Sequence, residues 1–447
     1  MRIHRIILAA ACCLSLTSLQ AQEHNQKHGR LRDYGITPGI FEPGQWNAIT
    51  DVPGVTVGHV TLIGNDMRTG VTAIVPHQGN LFTQKTPAAV YVGNGFGKLS
   101  GTTQVRELGN IEVPVILTNT LSVAQGIEGV IDYTIARNPW CMSVNAVVGE
   151  TNDCGLNNIQ KRFVKAKHVV KAIESAKSGP VEEGPVGAGA GTVCFGFKGG
   201  IGTSSRVLPA AYGGYTVGVL VQTNYGGVLE IDGVKVGEAL GQYSFKHAVE
   251  KDRAAKAKAA EQAVAGSCCQ DAAEGRMLAD AGKAADAGCQ DAAEGRMLAD
   301  AEMQKADSRM ADAGKTADGD VRLNPDGSCM MVLITDAPVD ARNLERMAKR
   351  VMMGMAKTGG IASNGSGDYV IALSVCPENL IDESKPFYTP VLLQNEAMSP
   401  LFEAAIEATE EALWNSLFAG YDCKDRNGNT VPALPVDEVV KLLKARE

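Results

Sequence analysis

Asn324-Pro325-Asp326-Gly327 is a turn-forming run that passes directly into Ser328 and Cys329, the opening of a β-rich stretch. A Gly-Ser peptide bond held in a strained turn lies open to its own hydroxyl. If that bond were cut, Ser328 would carry both a hydroxyl and a free α-amine. An amine with a pKa of about 7.7 to 8.0 can act as general base for the hydroxyl of the same residue, so such a nucleophile works without histidine. The same residues also read as a plain turn entering a strand.

Other sources of chemistry are sparse. The GNGFG run at 93–97 and the GAGAG run at 187–191 lack the GxGxxG spacing of a dinucleotide site, and Lys98 is followed by Leu99, which rules out a P-loop; both read as close-packing turns. The seven histidines show no HExxH spacing and no GxSxG elbow is present. Eleven cysteines include Cys141, Cys154, Cys194, Cys329, Cys376 and Cys423, scattered without zinc-type spacing. Nothing in the chain implies a metal or another cofactor. A net charge of −8 with no basic, aromatic-interleaved stripe argues against a nucleic-acid partner.

The nucleophile must be placed by the elements around it. With 45% hydrophobic and 21% charged residues the chain can bury a large core. Apolar, β-branched runs at 55–62, 71–75, 88–92, 113–117, 146–150, 191–197 and 216–222 predict strands, and helical spacing predicts helices over 122–137 and 158–176. Beyond Ser328 the pattern predicts a strand to Thr335, a helix over 340–357 capped by Asp340, a strand over 369–375 and a long helix over 400–417. Strands interleaved with a few helices predict a layered α/β or α+β fold.

Two segments stand apart. Residues 1–21, with Arg2 and Arg5 ahead of the apolar run 6–19 and Ala21 at its end, read as a secretory signal, which places the mature chain, 22–447, in the periplasm or outside the cell. No later run reaches the roughly 18 apolar residues of a membrane span. Residues 250–322 turn to Ala, Asp, Lys, Gly and Met and carry CQDAAEGRMLADA twice, at 269–281 and 289–301. Two copies cannot bury a continuous core, so this insert reads as helical or disordered.

Several runs, in order, are similar to those of the L-aminopeptidase/D-esterase family, which includes the β-peptidyl aminopeptidases. They are Ile49-Thr50-Asp51-Val52-Pro53-Gly54 through His59, Val148-Gly149-Glu150-Thr151-Asn152-Asp153, residues 187–197, Gln222-Thr223-Asn224-Tyr225-Gly226, and Asp326-Gly327-Ser328 with Thr335-Asp336-Ala337-Pro338. The resemblance spans the mature chain except the insert. It implies an αββα sandwich resembling N-terminal nucleophile hydrolases, self-cleaved between Gly327 and Ser328 into an α chain, 22–327, and a β chain, 328–447. Homo-oligomers of αβ units are implied as well.

The activity implied is release of N-terminal amino acids from small peptides, amides or esters through an acyl-enzyme on Ser328. Ser366 and Asp368, in Asn364-Gly365-Ser366-Gly367-Asp368, match the family's second serine and acidic residue, and Asn224 its oxyanion donor. Glu150 is the candidate carboxylate for the substrate ammonium. Asn152 stands where some relatives place a tyrosine hydroxyl, and is taken with Glu150 as substrate-binding. Competing readings are an acyltransferase of the ornithine acetyltransferase type and a secreted binding protein without turnover.

Overall fold

The computed structural model describes residues 29–274, 326–425 and 427–445. The leader and the second copy of the repeat lie outside them, as does all of the first copy beyond Glu274. The chain divides into two units, residues 1–244 with 322–447 and residues 245–321. Among the described residues, the smaller unit is one helix, Lys246–Glu274.

The larger unit is built on two sheets. Strands β1 (Thr56–Gly64), β2 (Met67–Val75), β4 (Val115–Asn119) and β5 (Val147–Thr151) form one, in the order β1-β2-β4-β5. Strands β3 (Gln84–Gly95), β6 (Ile201–Val207), β7 (Thr216–Asn224), β8 (Ser328–Thr335) and β9 (Gly367–Ser374) form the other, in the order β3-β9-β8-β7-β6, widened beside β3 by Ile381–Asp382 and Asn110–Ile111. Strand β8 is central: it pairs antiparallel with β7 and parallel with β9.

Side chains of β8 alternate between two cores, as the period of two requires. Met330, Val332 and Ile334 face the small sheet, together with Leu220, Ile371 and Leu373. Cys329, Met331 and Leu333 face the opposite way, into a core shared with helices α1 (Ala341–Lys357) and α2 (Ser399–Phe418). Two further helices, Val123–Arg137 and Ala166–Glu174, cover the outer face of the small sheet. The layers therefore run helix, sheet, sheet, helix, the αββα arrangement implied by the motifs. Asp340 caps α1 by accepting the Asn343 N–H at 2.9 Å.

Two predicted elements differ. The helix expected over 158–176 starts only at Ala166. Asn158 is tied to Asp66 through its N–H at 2.8 Å, a short turn follows at Ile159–Lys161, and Arg162 adopts φ 48°, which halts helical continuation. The strand expected over 191–197 is instead a tight pair of two-residue strands, Val193–Cys194 and Phe197–Lys198, reversed by Phe195 at φ 52° and Gly196 at φ 79°.

A buried ion cluster joins segments on either side of Ser328. Arg206 on β6, fully buried, meets Glu407 and Glu411 of α2 at 2.9 Å each, and Arg32 meets Glu411 at 2.8 Å. Removing the Arg206 cation leaves Glu407 buried without a cation and Glu411 with Arg32 alone, so Arg206→Met is expected to cost about 3 to 5 kcal/mol. Urea unfolding followed by circular dichroism measures it, and a loss below about 1 kcal/mol would contradict this account.

Candidate active site

The site is set by strand register. Ser328 lies opposite Asn224 of β7 on one side and Gly367 of β9 on the other, and Gly367 lies opposite Gly95 of β3. One row across four strands thus collects three of the positions named from sequence or their neighbours. In the next row Cys329 pairs with Asp368, which pairs with Asn94. Ser328 is buried, and its Oγ donates to the Gly327 carbonyl oxygen at 2.5 Å. The Gly367 N–H points at both, 3.2 Å from the Gly327 oxygen and 3.3 Å from Ser328 Oγ. A Cβ on Gly327 would run into the Asn224 carbonyl oxygen, so only glycine lets the chain pass this close.

The approach to the Gly327-Ser328 bond is braced from the other side of the strand. Asp326 Oδ1 accepts from Ser363 Oγ at 2.8 Å and from the Gly365 N–H at 3.0 Å, which locks the chain ahead of Ser328 to the turn that carries Ser366. Asn94 holds the same turn: its Nδ2 donates to the Ser363 carbonyl at 2.9 Å and to the Ser366 carbonyl. Within it, Ser366 Oγ donates to Asp368 Oδ1 at 2.8 Å. Asp368 Oδ2 is buried with no hydrogen-bond partner among the described residues. Burial pushes the Asp368 carboxyl up to about 6, with the Ser366 hydroxyl and the Cys329 main chain pulling the other way.

Asn224 accepts the Val193 N–H on Oδ1 at 3.1 Å, which turns its amide so that the amino end becomes the available donor. Glu150 enters from the small sheet. Its carboxylate is buried, accepts the Lys98 N–H at 3.0 Å and the Thr120 hydroxyl, and lies 3.8 Å from Lys98 Nζ. A Cβ placed on Gly97 would sit 3.2 Å from Glu150 Oε1 and 3.3 Å from Gly367 Cα, so the carboxylate lies within a few ångströms of the head of β9. The side chain of Asn152 turns elsewhere: it is exposed, and its Oδ1 accepts the Cys154 N–H at 3.0 Å in a local turn. Ser328, Asn224, Ser366, Asp368 and Glu150 thus gather at one end of the sheet interface, while Asn152 stands beside it. Asn94, Lys98, Thr120 and the Gly367 N–H were not singled out from sequence. Asn94 belongs to the glycine run read there as a packing turn, and Lys98 directly follows it.

A buried hydroxyl at a strand end, a peptide N–H aimed at it, a fixed amide and two carboxylates are the parts of an acyl-transfer centre. Residues 47–431 match the model of peptidase family S58. Two similar proteins are the β-peptidyl aminopeptidase BapA of Sphingosinicella microcystinivorans, 36% identical with 93% of this chain and 92% of the relative covered, and that of Sphingosinicella xenopeptidilytica, 33% identical with 93% and 91% covered. Among solved structures, the L-aminopeptidase D-Ala-esterase/amidase of Ochrobactrum anthropi, described as a prototype for the serine aminopeptidases and a new variant among the Ntn hydrolase fold, matches with TM-score 0.70 and 28% identity over 93% of this chain and 98% of its own. The chain belongs to peptidase family S58. It is a hydrolase of the serine aminopeptidase class, on a mixed α/β fold.

The raised Asp368 carboxyl has a stability consequence. The folded state keeps this proton between the ordinary carboxylate range and about 6 while the unfolded chain has lost it, so the group's contribution falls as pH rises through that window. On the uncut Ser328→Ala chain, Asp368→Asn is therefore expected to flatten the decline between pH 4.5 and 7 by about 2 kcal/mol relative to the Ser328→Ala parent, read by urea denaturation at each pH. Parallel curves for the two proteins would show that Asp368 titrates normally.

Proposed function

We propose that this protein cuts its own chain between Gly327 and Ser328 and then releases amino-terminal residues from small peptides, amides or esters through an ester on Ser328. The observation that carries the reading is the contact of the Gly367 N–H with both the Gly327 carbonyl oxygen and Ser328 Oγ. In the first reaction Ser328 Oγ adds to the Gly327 carbonyl carbon while the N–H at Gly367 steadies the oxygen. The C–N bond breaks, Oγ's proton passes to the departing Ser328 nitrogen, and water hydrolyses the resulting ester to a Gly327 carboxylate. Ser328 is left with hydroxyl and amine together.

In turnover the Ser328 amine takes the proton of Oγ as Oγ attacks the substrate carbonyl. Asn224 donates its amide N–H to the oxyanion, a contribution of about 3 to 4 kcal/mol in comparable sites. Ser366 and Asp368 hold the Ser328 amine and relay its proton to the leaving amine; the unpartnered Asp368 Oδ2 is the acceptor suited to that amine. Water then attacks the acyl ester and frees the acid. Glu150, already surrounded by donors, exchanges the Lys98 ammonium for the substrate's, and Asn152 lies at the outer side of that end. The curated relatives named above act on β-peptides by name, and such peptides fall within the proposed substrate class. We place the reaction outside the cytoplasm, on Arg2, Arg5 and the apolar run that follows, and in an oligomer of αβ units.

Intact-mass spectrometry tests the first step. Wild type is expected to yield a fragment running from Ser328 to Glu447, and Ser328→Ala only the full-length mature chain. The long insert ahead of the bond is expected not to prevent cutting, because loop-closure cost rises slowly with length. Folded wild type that stays intact would sink the reading. For the processed enzyme, Glu150→Gln is expected to raise KM for an amino-acid amide by about 10-fold to 100-fold, the worth of a hydrogen bond to a charged group, with kcat changed far less. Equal KM values would remove Glu150 from ammonium binding.

A further inference from the structure

Lys198 is a fully buried lysine whose ammonium touches no carboxylate among the described residues. Its Nζ instead donates to three main-chain carbonyls, those of Gly189 at 3.0 Å, Thr192 at 2.8 Å and Gly199 at 2.7 Å. All three belong to the glycine-rich run between the turn at Gly187–Gly189 and the start of β6. An ammonium has three N–H donors, and each is used here. The run is also fastened to β7 and the residue after it: at its hairpin tip Phe195 N–H donates to the Tyr225 carbonyl at 2.7 Å, and at its end the Gly200 carbonyl accepts the Thr223 N–H at 2.9 Å. Val193 is paired with Lys198 itself across the two-residue hairpin, and the peptide that carries the Val193 N–H is held at its other end, the Thr192 carbonyl, by the Lys198 ammonium. That N–H fixes Asn224 Oδ1.

We propose that Lys198 is a positioning residue for the oxyanion donor: by binding the Gly189, Thr192 and Gly199 carbonyls it sets the Val193 N–H, which sets the Asn224 amide facing Ser328. The chain of contacts is short: the Thr192 carbonyl that Lys198 holds and the Val193 N–H that Asn224 accepts belong to one planar peptide unit. A neutral amine would offer two N–H donors to three buried carbonyls, so the brace is complete only in the charged form. Burial pushes this ammonium down to about 8, with Arg68 of β2 acting in the same direction and Cys423, Cys194 and Asp153 opposing. The inference rests on Asn224 acting as oxyanion donor in the reaction proposed above.

A double-mutant cycle separates orientation from general support. On enzyme whose processed fraction is quantified by mass, kcat/KM for an amino-acid amide is measured for wild type, Lys198→Met, Asn224→Ala and the double variant. Asn224→Ala is expected to lose about 100-fold to 1000-fold, Lys198→Met about 10-fold to 100-fold mainly in kcat, and the double variant no more than about 3-fold beyond Asn224→Ala alone. Losses that multiply would show that Lys198 acts independently of Asn224 and overturn the inference while leaving the hydrolase reading intact. An inactive wild type overturns both. Should Lys198→Met not fold, Val193→Pro removes the intermediate N–H without touching the buried charge, and the same non-additivity with Asn224→Ala is expected.

Discussion

Everything at this site hangs on the register of one strand. Because β8 is hydrogen-bonded on both edges and buried on both faces, Ser328 has a single permitted partner on each side. A slip of one residue would exchange the sets facing the two cores, placing Cys329, Met331 and Leu333 where Met330, Val332 and Ile334 now meet the small sheet. The cost of such a slip is spread over the whole interior. Register therefore does for Ser328 what no local contact could: it holds a small hydroxyl beside a chosen N–H without any long side chain to anchor it.

The second constraint is that the site belongs to neither sheet alone. Ser328, Asn224 and the Ser366-Asp368 pair come from the large sheet, whereas Glu150 comes from the small one. Gly149 makes this possible: a side chain there would meet the Met330 thioether, so its absence lets β5 press against β8. The two carboxylates differ in how they are satisfied. Glu150 is supplied with donors by Lys98 and Thr120, whereas Asp368 keeps one oxygen without a partner in a buried setting. Burial raises the proton affinity of Asp368.

Much of the frame was legible from the chain, because strands buried on one or two faces and capped helices leave periodic marks. Ser328 stood out as a candidate where a turn meets a β-rich run, but the same residues also read as a plain turn, and the family resemblance chose between the two. Asn224, Ser366 and Asp368 did not follow from composition or periodicity; they came through ordered motifs similar to those of a known family. Asn94 and Thr120 left no mark, since each acts on residues far away in sequence, as when Asn94 reaches Ser363 and Ser366, and Lys198 left none because its partners are main-chain carbonyls, which carry no side-chain pattern. The errors have local causes too. The 158–176 stretch carries helical spacing, but the tie between Asn158 and Asp66 outweighs propensity over its first turns. In 191–197 the apolar spacing of a strand was real, yet Phe195 and Gly196 at positive φ fold it back on itself.

The Arg206 cluster and the sheet itself both tie residues before Gly327 to residues after it. An intact chain finds those partners within one molecule, at a rate independent of how much protein is present. A chain opened at that point would, once unfolded, have to find them as two separate molecules, and recovery would depend on dilution. Such a protein matures in one direction only: it is assembled as a unimolecular reaction and afterwards preserved by how slowly it comes apart, not by how readily it could be remade.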